Sequence, residues 1–372
     1  YCTQHPYGST YEIKDITATT GHVYNGVHSG SLSGTIGADR VNVSLSFSTK
    51  VLTANFYRNA GTSDTTKVTQ NFKYGQSGQA FNTNTWTRTG YTFKGWSTDK
   101  NASSISWPDK CGVADSWINS NYPSINIYAI WSLNNYSIGY NLNGGSISGQ
   151  KTSYNVTTES FTLPTPTRTG YTFTGWTGSN GSTPQKSVTI AKGSTGNKSY
   201  TANWSANTYY VTYDANGGSG APAKQAFVFN SGAKISSTKP TRTGYTFVNW
   251  VYGGTTFNPG DAIPSGWGSF ILKAQWKANS YTITYSANGG SGSNQTQTVQ
   301  YGTSWTTKGA IYSKDGYTQT SWNTQANGSG TRYSLSTTQT DKQLSNVTLY
   351  AQYTANTYTV KYDGNGADGG SM

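Results

Sequence analysis

A seven-residue string, Thr-Arg-Thr-Gly-Tyr-Thr-Phe, occurs three times in this chain and constrains its fold more than any other feature. The copies begin at Thr87, Thr167 and Thr241, and a degenerate copy begins at Lys314. A tryptophan follows each copy, in chain order Trp96, Trp176, Trp250 and Trp322. Self-similarity at a nearly fixed period indicates a tandem array. The 372 residues therefore hold four small modules rather than two or three ordinary domains.

Two further markers recur in the same order. An Ala-x-aromatic triplet occurs at Ala129, Ala202, Ala274 and Ala351. A second marker is an alternating segment that runs into an Asn-Gly turn, as in residues 209–217. Alternation points successive side chains to opposite faces of a strand, and Asn-Gly favours a tight turn because both residues tolerate positive φ. A glycine just before the motif tryptophan, such as Gly175, predicts a bulge.

The composition predicts aromatic cores. The chain has 29 Tyr, 12 Trp and 12 Phe, but only ten Leu and two Glu. Scarce helix formers and abundant Thr, Tyr and Gly favour strands over helices. The residues predicted to form the repeat cores are Tyr91, Phe93, Trp96, Tyr171, Phe173, Trp176, Trp204, Tyr245, Phe247, Trp250, Trp276, Tyr317 and Trp322.

The charged, sulfur and imidazole groups indicate no catalytic or metal chemistry. The net charge of +12 is scattered, with no run of five basic residues, so no nucleic acid is expected as a partner. Cys2 and Cys111 form no Cys-x-x-Cys motif but could form a disulfide in an oxidising compartment. No cofactor is expected. Paired carboxylates for acid–base work are missing as well, so the chain is not expected to be an enzyme.

The three markers together resemble the Listeria–Bacteroides repeat, also called the internalin B-type B-repeat. Residues 209–276 match it most fully, whereas Gln319 and Tyr353 replace the expected Phe and Trp in the fourth copy. The resemblance implies a mainly β chain, a tandem array of small β-grasp-like modules. Linkers of about four residues, such as 205–208, predict that the modules form an elongated rod. The resemblance also implies a secreted or cell-surface bacterial protein, often an adhesin.

Residues 1–50 differ from the repeats. Val41, Val43, Leu45 and Phe47 alternate in a strand that leads into the next module. The segment that begins His22-Val23-Tyr24-Asn25-Gly26 is similar to the Tyr-Asp-Gly class of bacterial immunoglobulin-like stalk repeats, with Asn25 in place of the Asp. The predicted boundaries are a partial β domain over 1–50, repeat 1 over 51–135 (with an insert), repeat 2 over 136–208, repeat 3 over 209–280, repeat 4 over 281–357 and the first strand of a fifth repeat over 358–372.

Three functions are compatible with these features. The first is a non-catalytic stalk or adhesive region outside the cell. The second is a filament subunit that exchanges the terminal strand containing Tyr358, Val360 and Tyr362, so that modules associate through strand edges. The third is a carbohydrate-binding array that uses the tryptophans outside the repeat template, namely Trp107, Trp117, Trp267 and Trp305. A protein receptor, a surface glycan and an anionic cell-wall polymer all remain possible partners. The chain contains no run of 18 apolar residues, so no membrane span is predicted.

Overall fold

The computed structural model describes residues 8, 10–13, 16–29, 31–35, 37, 42–340, 342, 345–366 and 369. These residues divide into two compact units. The first contains the described residues up to 168 together with 173–204, and the second contains 169–172 together with the described residues from 205 onward.

The first unit begins with two small two-stranded sheets, whose strands alternate along the chain. Their strands are β1 (Thr10–Glu12), β2 (His22–Ser29), β3 (Ser33–Thr35) and β4 (Ser44–Thr49). β1 pairs with β3 and β2 pairs with β4, both antiparallel.

Repeat 1 forms a four-stranded mixed sheet. Its elements are β5 (Val51–Tyr57), β6 (Lys67–Lys73), β7 (Tyr91–Ser97), α1 (Asp115–Asn121) and β8 (Ser124–Leu133). The strand order is β6-β5-β8-β7. The central pair, β5 and β8, is parallel, and both outer pairs are antiparallel. The insert predicted in this repeat supplies α1 and an antiparallel bridge from Trp107 to Trp96.

Repeat 2 forms a five-stranded sheet and a small second pair. Its strands are β9 (Tyr136–Asn141), β10 (Ser153–Tyr154), β11 (Phe161–Thr162), β12 (Tyr171–Gly178), β13 (Gly181–Gln185), β14 (Thr189–Ile190) and β15 (Lys198–Ala206). The sheet order is β10-β9-β15-β12-β13, with β9 and β15 parallel, and β11 pairs with β14.

The second unit holds two more sheets of this kind. Repeat 3 contains β16 (Thr208–Asp214), β17 (Gln225–Val228), β18 (Tyr245–Tyr252), β19 (Thr255–Phe257) and β20 (Phe270–Ala278). Repeat 4 contains β21 (Ser280–Ser286), β22 (Gln295–Gln300), β23 (Trp305–Thr306), β24 (Tyr317–Asn323), β25 (Arg332–Ser334), β26 (Thr338–Gln339) and β27 (Val347–Ala355). The sheet orders are β17-β16-β20-β18-β19 and β22-β21-β27-β24-β25. The prediction of a mainly β chain is confirmed, as four tandem mixed sheets.

Each sheet buries its motif tryptophan. Trp176, Trp250 and Trp322 are 0% exposed and Trp96 is 2% exposed. Five further predicted core residues are partly buried against the same clusters, namely Phe93, Phe173, Trp204, Phe247 and Trp276. A fully buried aromatic side chain contributes several kcal/mol, so these rings supply the core that few leucines could provide.

The strand before each motif tryptophan bulges in repeats 1, 3 and 4. The register against the closing strand shifts between Phe93 and Gly95, between Phe247 and Trp250, and between Gln319 and Ser321. A bulge places an extra residue on one strand and redirects the side chain that follows. This redirection turns the tryptophan into the core.

The antiparallel pair of β2 and β4 repeats this pattern. Tyr24 lies opposite Phe47, and the register shifts at Gly26, as it does at Gly95 between β7 and β8. The ring centroids of Tyr24 and Phe47 are 5.6 Å apart, close to the 5.5 Å between their counterparts Phe93 and Trp131. The segment therefore folds locally like the second half of a repeat.

Candidate functional site

A pair of hydrogen bonds holds the end of the first strand to the closing strand in every repeat, at an Asn-Gly turn in repeats 2, 3 and 4 and at Asn59-Ala60-Gly61 in repeat 1. In repeat 3, Asn216 has a φ of +50° and its Nδ2 donates to the carbonyl oxygen of Ala274, 2.9 Å away. The turn thus accounts for two of the markers at once, because the asparagine binds the alanine of the Ala-x-aromatic triplet. The equivalent bonds run from Asn59 to Ala129, from Asn143 to Ala202 and from Asn288 to Ala351.

The closing aromatic residue makes the second bond of the pair. The indole of Trp276 donates to the carbonyl oxygen of Ala215 at 3.0 Å, and Trp131 and Trp204 make the same contact in their repeats. In repeat 4 the hydroxyl of Tyr353 donates to Ala287 at 2.8 Å. The Tyr353 substitution therefore preserves the hydrogen bond.

A junction of one or two residues links consecutive sheets. Asn279 is the single residue between β20 and β21, and its amide donates to the carbonyl of Gly244 at 2.9 Å. The amide of Tyr301 then donates to the carbonyl of Asn279, also at 2.9 Å. A Cβ at Gly244 would overlap the Tyr301 ring, so only glycine allows this approach. The junction is shorter than the four residues predicted from sequence.

The same junction recurs in both units. In the first unit, Gly21 accepts from Lys50 at 2.8 Å, and Gly90 accepts from Asn134 at 2.9 Å. In the second unit, Gly170 accepts from Asn207 and Gly316 accepts from Asn356. A Cβ at Gly21, Gly90 or Gly170 would overlap, respectively, Tyr74, Val156 or Phe229. A threonine hydroxyl also binds the linker asparagine, the donors being Thr92, Thr172, Thr246 and Thr318.

The first tyrosine of the motif lies at this junction rather than in the core. Tyr245 packs edge-on against Tyr301 at 5.4 Å, and Tyr171 packs against Phe229 at 5.6 Å. Tyr91 is half-buried beneath the Arg88 guanidinium, 3.8 Å from the ring centroid. Tyr317 is 43% exposed. These placements differ from the predicted core role because a glycine with positive φ precedes each tyrosine and directs it out of the module.

The four tryptophans outside the repeat template pack against module cores. Trp107 and Trp117 lie against the core of repeat 1, and Trp267 against that of repeat 3. Trp305 belongs to the core of repeat 4 and is only 5% exposed, which leaves little ring surface for a ligand. A carbohydrate-binding role for these four residues stays a prediction.

Cys111 is partly buried against the core of repeat 1. Cys2 lies outside the described residues, so the Cys2–Cys111 disulfide stays a prediction. Within the described part of the chain, no group of three His, Cys, Asp or Glu side chains could hold a metal ion. In the same part of the chain, none of the helices has the length and apolar character needed to cross a membrane.

One depression in the surface of repeat 1 is a small cleft of about 200 Å³. Its apolar lining comes from Phe56, Val68, Trp86 and Trp96, and its polar lining from Gln70, Asn82, Thr83, Asn84 and Thr85. We call this the Trp86 cleft. Trp86 was missed by the sequence analysis because it occupies the place of Pro166 and Pro240, just ahead of the repeated motif.

Trp86 is held rigidly. The Asn84 side chain accepts from the amide of Trp86 and donates to its carbonyl, both at 3.1 Å. Asp109 in turn accepts from the amide of Asn84 at 3.0 Å. The Trp86 ring packs edge-on against Trp96 with centroids 6.0 Å apart. The ring is therefore preorganised as one wall of the cleft.

A second, wider groove lies on repeat 3 beside its Asn-Gly turn. Its lining includes Lys239, Arg242, Tyr245 and Trp276. Arg242 stacks on Tyr245 with its guanidinium carbon 4.0 Å from the ring centroid, and it donates to the carbonyl of Asn216 at 3.3 Å. The groove has two cations and no carboxylate in its lining.

The pKa shifts fall on one ion pair, Arg58 with Asp64, and on six tyrosines. The Arg58 guanidinium, hydrogen-bonded to Asp64, holds the pKa of that carboxyl well below its usual range. Burial raises the pKa of six tyrosines, Tyr140, Tyr154, Tyr200, Tyr213, Tyr285 and Tyr353. The Asp64 carboxylate has a low pKa and is bound to Arg58, while the six tyrosines are kept neutral. These groups therefore form no acid–base pair.

Comparison with known proteins decides the family. A model of the Listeria–Bacteroides repeat domain matches residues 53–114, 136–203, 209–270 and 281–352. The chain belongs to the Listeria–Bacteroides repeat family. Each matched segment lies within the span of one sheet, although the matches in repeats 1 and 3 end before or at the start of the closing strands β8 and β20, so each copy of the family repeat corresponds to one module.

Individual relatives agree with this assignment. Two proteins of Evansella cellulosilytica, named "Putative membrane protein" and "Putative Gly-rich membrane protein", are 30% and 28% identical over 66% and 75% of this chain. Internalin H of Listeria monocytogenes is 34% identical over 43% of the chain. The chain spans only about a third of the length of each relative, namely 35%, 32% and 31%.

Proposed function

We propose that this chain is a non-catalytic stalk and adhesive region of a bacterial secreted or cell-surface protein. The recurrent junction is the observation that carries the proposal. A linker of one or two residues, bonded through its backbone to the preceding glycine and covered by an aromatic ring at Gly21, Gly170 and Gly244, restricts bending between consecutive modules. A spacer needs this restriction, because a flexible linker would let the modules collapse upon one another. The relation to an internalin supports a place at the cell surface.

Two finer features belong to the same proposal. The strand order in repeats 3 and 4 is second-first-fifth-third-fourth with a parallel central pair, which supports a β-grasp-like module. The short linkers support a rod. An elongated, stiff array would hold a binding surface at a distance from the cell.

Spin labels on exposed positions of β19 and β25 test the stiffness across the junction of repeats 3 and 4. Pulsed electron paramagnetic resonance on the full chain should give a narrow distance distribution. Substituting three glycines for Asn279 should broaden it. A broad distribution in the unmodified chain would contradict the stalk role.

Localisation and adhesion need separate measurements. An antibody against the chain should label intact cells, and added protease should remove the label without lysis. Beads coated with the purified chain should adhere to host cells or to cell-wall preparations more than beads coated with albumin. Labelling only after lysis would contradict the surface assignment, and equal adhesion of both beads would remove the adhesive part of the proposal.

A further inference from the structure

We propose that the Trp86 cleft of repeat 1 binds one ring of a neutral saccharide. The proposal adds a ligand site to the chain and does not depend on the stalk role. It begins from a difference between repeat 1 and its neighbours at a single core position.

That position is Phe56 in repeat 1 and tyrosine in the other repeats. Phe56, Tyr213 and Tyr285 occupy the same register on the first strand, each opposite the closing strand. In repeat 3 the Tyr213 hydroxyl donates to Gln225 at 2.7 Å and accepts from the amide of Ser236, also at 2.7 Å. The Tyr285 hydroxyl of repeat 4 donates to Gln297 at 2.8 Å. Repeats 3 and 4 thus carry at this position a hydrogen-bonded hydroxyl that repeat 1 lacks.

In repeat 1 the corresponding backbone amide, that of Asn82, has a hydrogen-bond partner without that hydroxyl. Gln70, the counterpart of Gln225, accepts from the amide of Asn82 at 3.0 Å and donates to the carbonyl of Ala80 at 2.7 Å. Losing the tyrosine hydroxyl would otherwise leave the amide of Asn82 without this acceptor. Gln70 replaces the hydroxyl as the acceptor, so that amide stays paired in repeat 1.

The lining identifies the class of ligand. Phe56 and Trp96 form the buried floor, while Trp86 and Val68, which is 49% exposed, are reachable from solvent. The side chains of Asn82, Thr83 and Thr85 line the cleft and make no hydrogen bond to the rest of the described chain. Small-ligand sites combine apolar walls with a few polar groups of this kind.

A saccharide ring suits both halves of this lining. Its C–H face carries partial positive charge, which is attracted to the negative face of an aromatic ring. Its hydroxyls both donate and accept, as do the amide of Asn82 and the hydroxyls of Thr83 and Thr85. The ligand should be neutral, because no charged side chain lines the cleft. This distinguishes the site from the cationic groove of repeat 3.

The test is an NMR titration of the full chain, following the indole N–H signals, with cellobiose, chitobiose, lactose and maltose at millimolar concentrations. Digalacturonate serves as the charged comparison. At least one neutral disaccharide should shift the Trp86 signal. The Phe56→Tyr variant should weaken that binding at least tenfold, because it adds a hydroxyl to the floor of the cleft and brings it into competition with Gln70 for the Asn82 amide. Trp86→Ala should have a similar effect.

Tyr213→Phe in repeat 3 is the matched control, and it should leave the affinity within twofold of the unmodified chain. Phe56→Tyr reproduces an arrangement that repeats 3 and 4 already contain, so loss of binding in that variant is not explained by unfolding. The proposal is overturned if no neutral disaccharide shifts the Trp86 signal, or if digalacturonate binds more tightly. It is also overturned if Phe56→Tyr binds like the unmodified chain.

Discussion

The Trp276 indole donates to the carbonyl oxygen of Ala215 across 3.0 Å, and this contact ties the end of repeat 3 to its beginning, 61 residues earlier. Trp276→Phe should leave that carbonyl without a partner and lower the stability of repeat 3 by about 1–2 kcal/mol. Trp276→Tyr should cost less, because Tyr353 makes the equivalent bond in repeat 4. Hydrogen exchange of β16 and β20 reports the local free energy of unfolding. Equal losses in the two variants would show that ring size, not the hydrogen bond, is what matters.

Asn216 combines a positive φ with a hydrogen bond to Ala274, and two substitutions separate these roles. Asn216→Gly keeps the backbone conformation and should cost about 1 kcal/mol for the lost bond. Asn216→Ala should cost a further 1–2 kcal/mol, roughly, because alanine disfavours the left-handed region. Urea denaturation followed by exchange in repeat 3 measures both. The interpretation fails if alanine is tolerated as well as glycine.

Gly244 is required by the junction, and Gly232 provides a control with nearly the same backbone. Their φ angles are +77° and +72°, but a Cβ at Gly232 would meet open space, whereas one at Gly244 would meet Tyr301. Each alanine variant should lose about 1 kcal/mol from backbone strain. Only Gly244→Ala should also speed amide exchange at Asn279 and Tyr301. Unchanged exchange at those two amides would show that the contact does not hold the junction.

Asp64 should make repeat 1 sensitive to acid. Its pKa is lowered in the folded state by the hydrogen bond from Arg58, so the stabilisation is complete above the unfolded value of about 4. It is lost progressively as the pH falls below that value towards the depressed folded pKa. Asp64→Asn should therefore flatten the pH dependence of unfolding between about pH 5 and pH 2, measured by circular dichroism.

The exposed Lys192–Glu159 pair is the control for this prediction, because both side chains are more than half exposed. Solvent screens such a pair. Glu159→Gln should leave the pH profile unchanged, and a similar flattening in both variants would remove the special role of Asp64.

The repeated strings predicted the strands, turns and buried tryptophans because alternation and Asn-Gly turns are local signals. The role of Gly244 and Tyr245 was not predictable in this way. Within one repeat, the alternation of side chains assigns Tyr245 to the face that forms the core. Its contact with Tyr301 could not be predicted, because Tyr301 belongs to the following module.

The Trp86 cleft was hidden for a related reason. Phenylalanine in place of tyrosine at position 56 is conservative in a hydrophobic pattern, yet it removes a hydroxyl that is hydrogen-bonded in repeats 3 and 4. Gln319 shows the opposite case. It departs from the pattern as a polar residue in the core, but its oxygen accepts from the amides of Ile311 and Tyr312, at 3.1 and 3.2 Å. Hydrogen-bond partners outside the strand that carries the residue decide both outcomes.

The glycine carbonyl and the linker amide are backbone groups, and the side chain that faces the glycine varies from Tyr74 to Val156 and Phe229, so the fit between adjacent modules hardly depends on their individual sequences. Gly21 and Tyr74 make this contact even where residues 22–49 share only an antiparallel strand pair with the repeats. Modules of this design can therefore be duplicated, deleted or shuffled without a new interface having to evolve. Array length can change in this way while an individual copy, such as repeat 1, acquires a feature of its own.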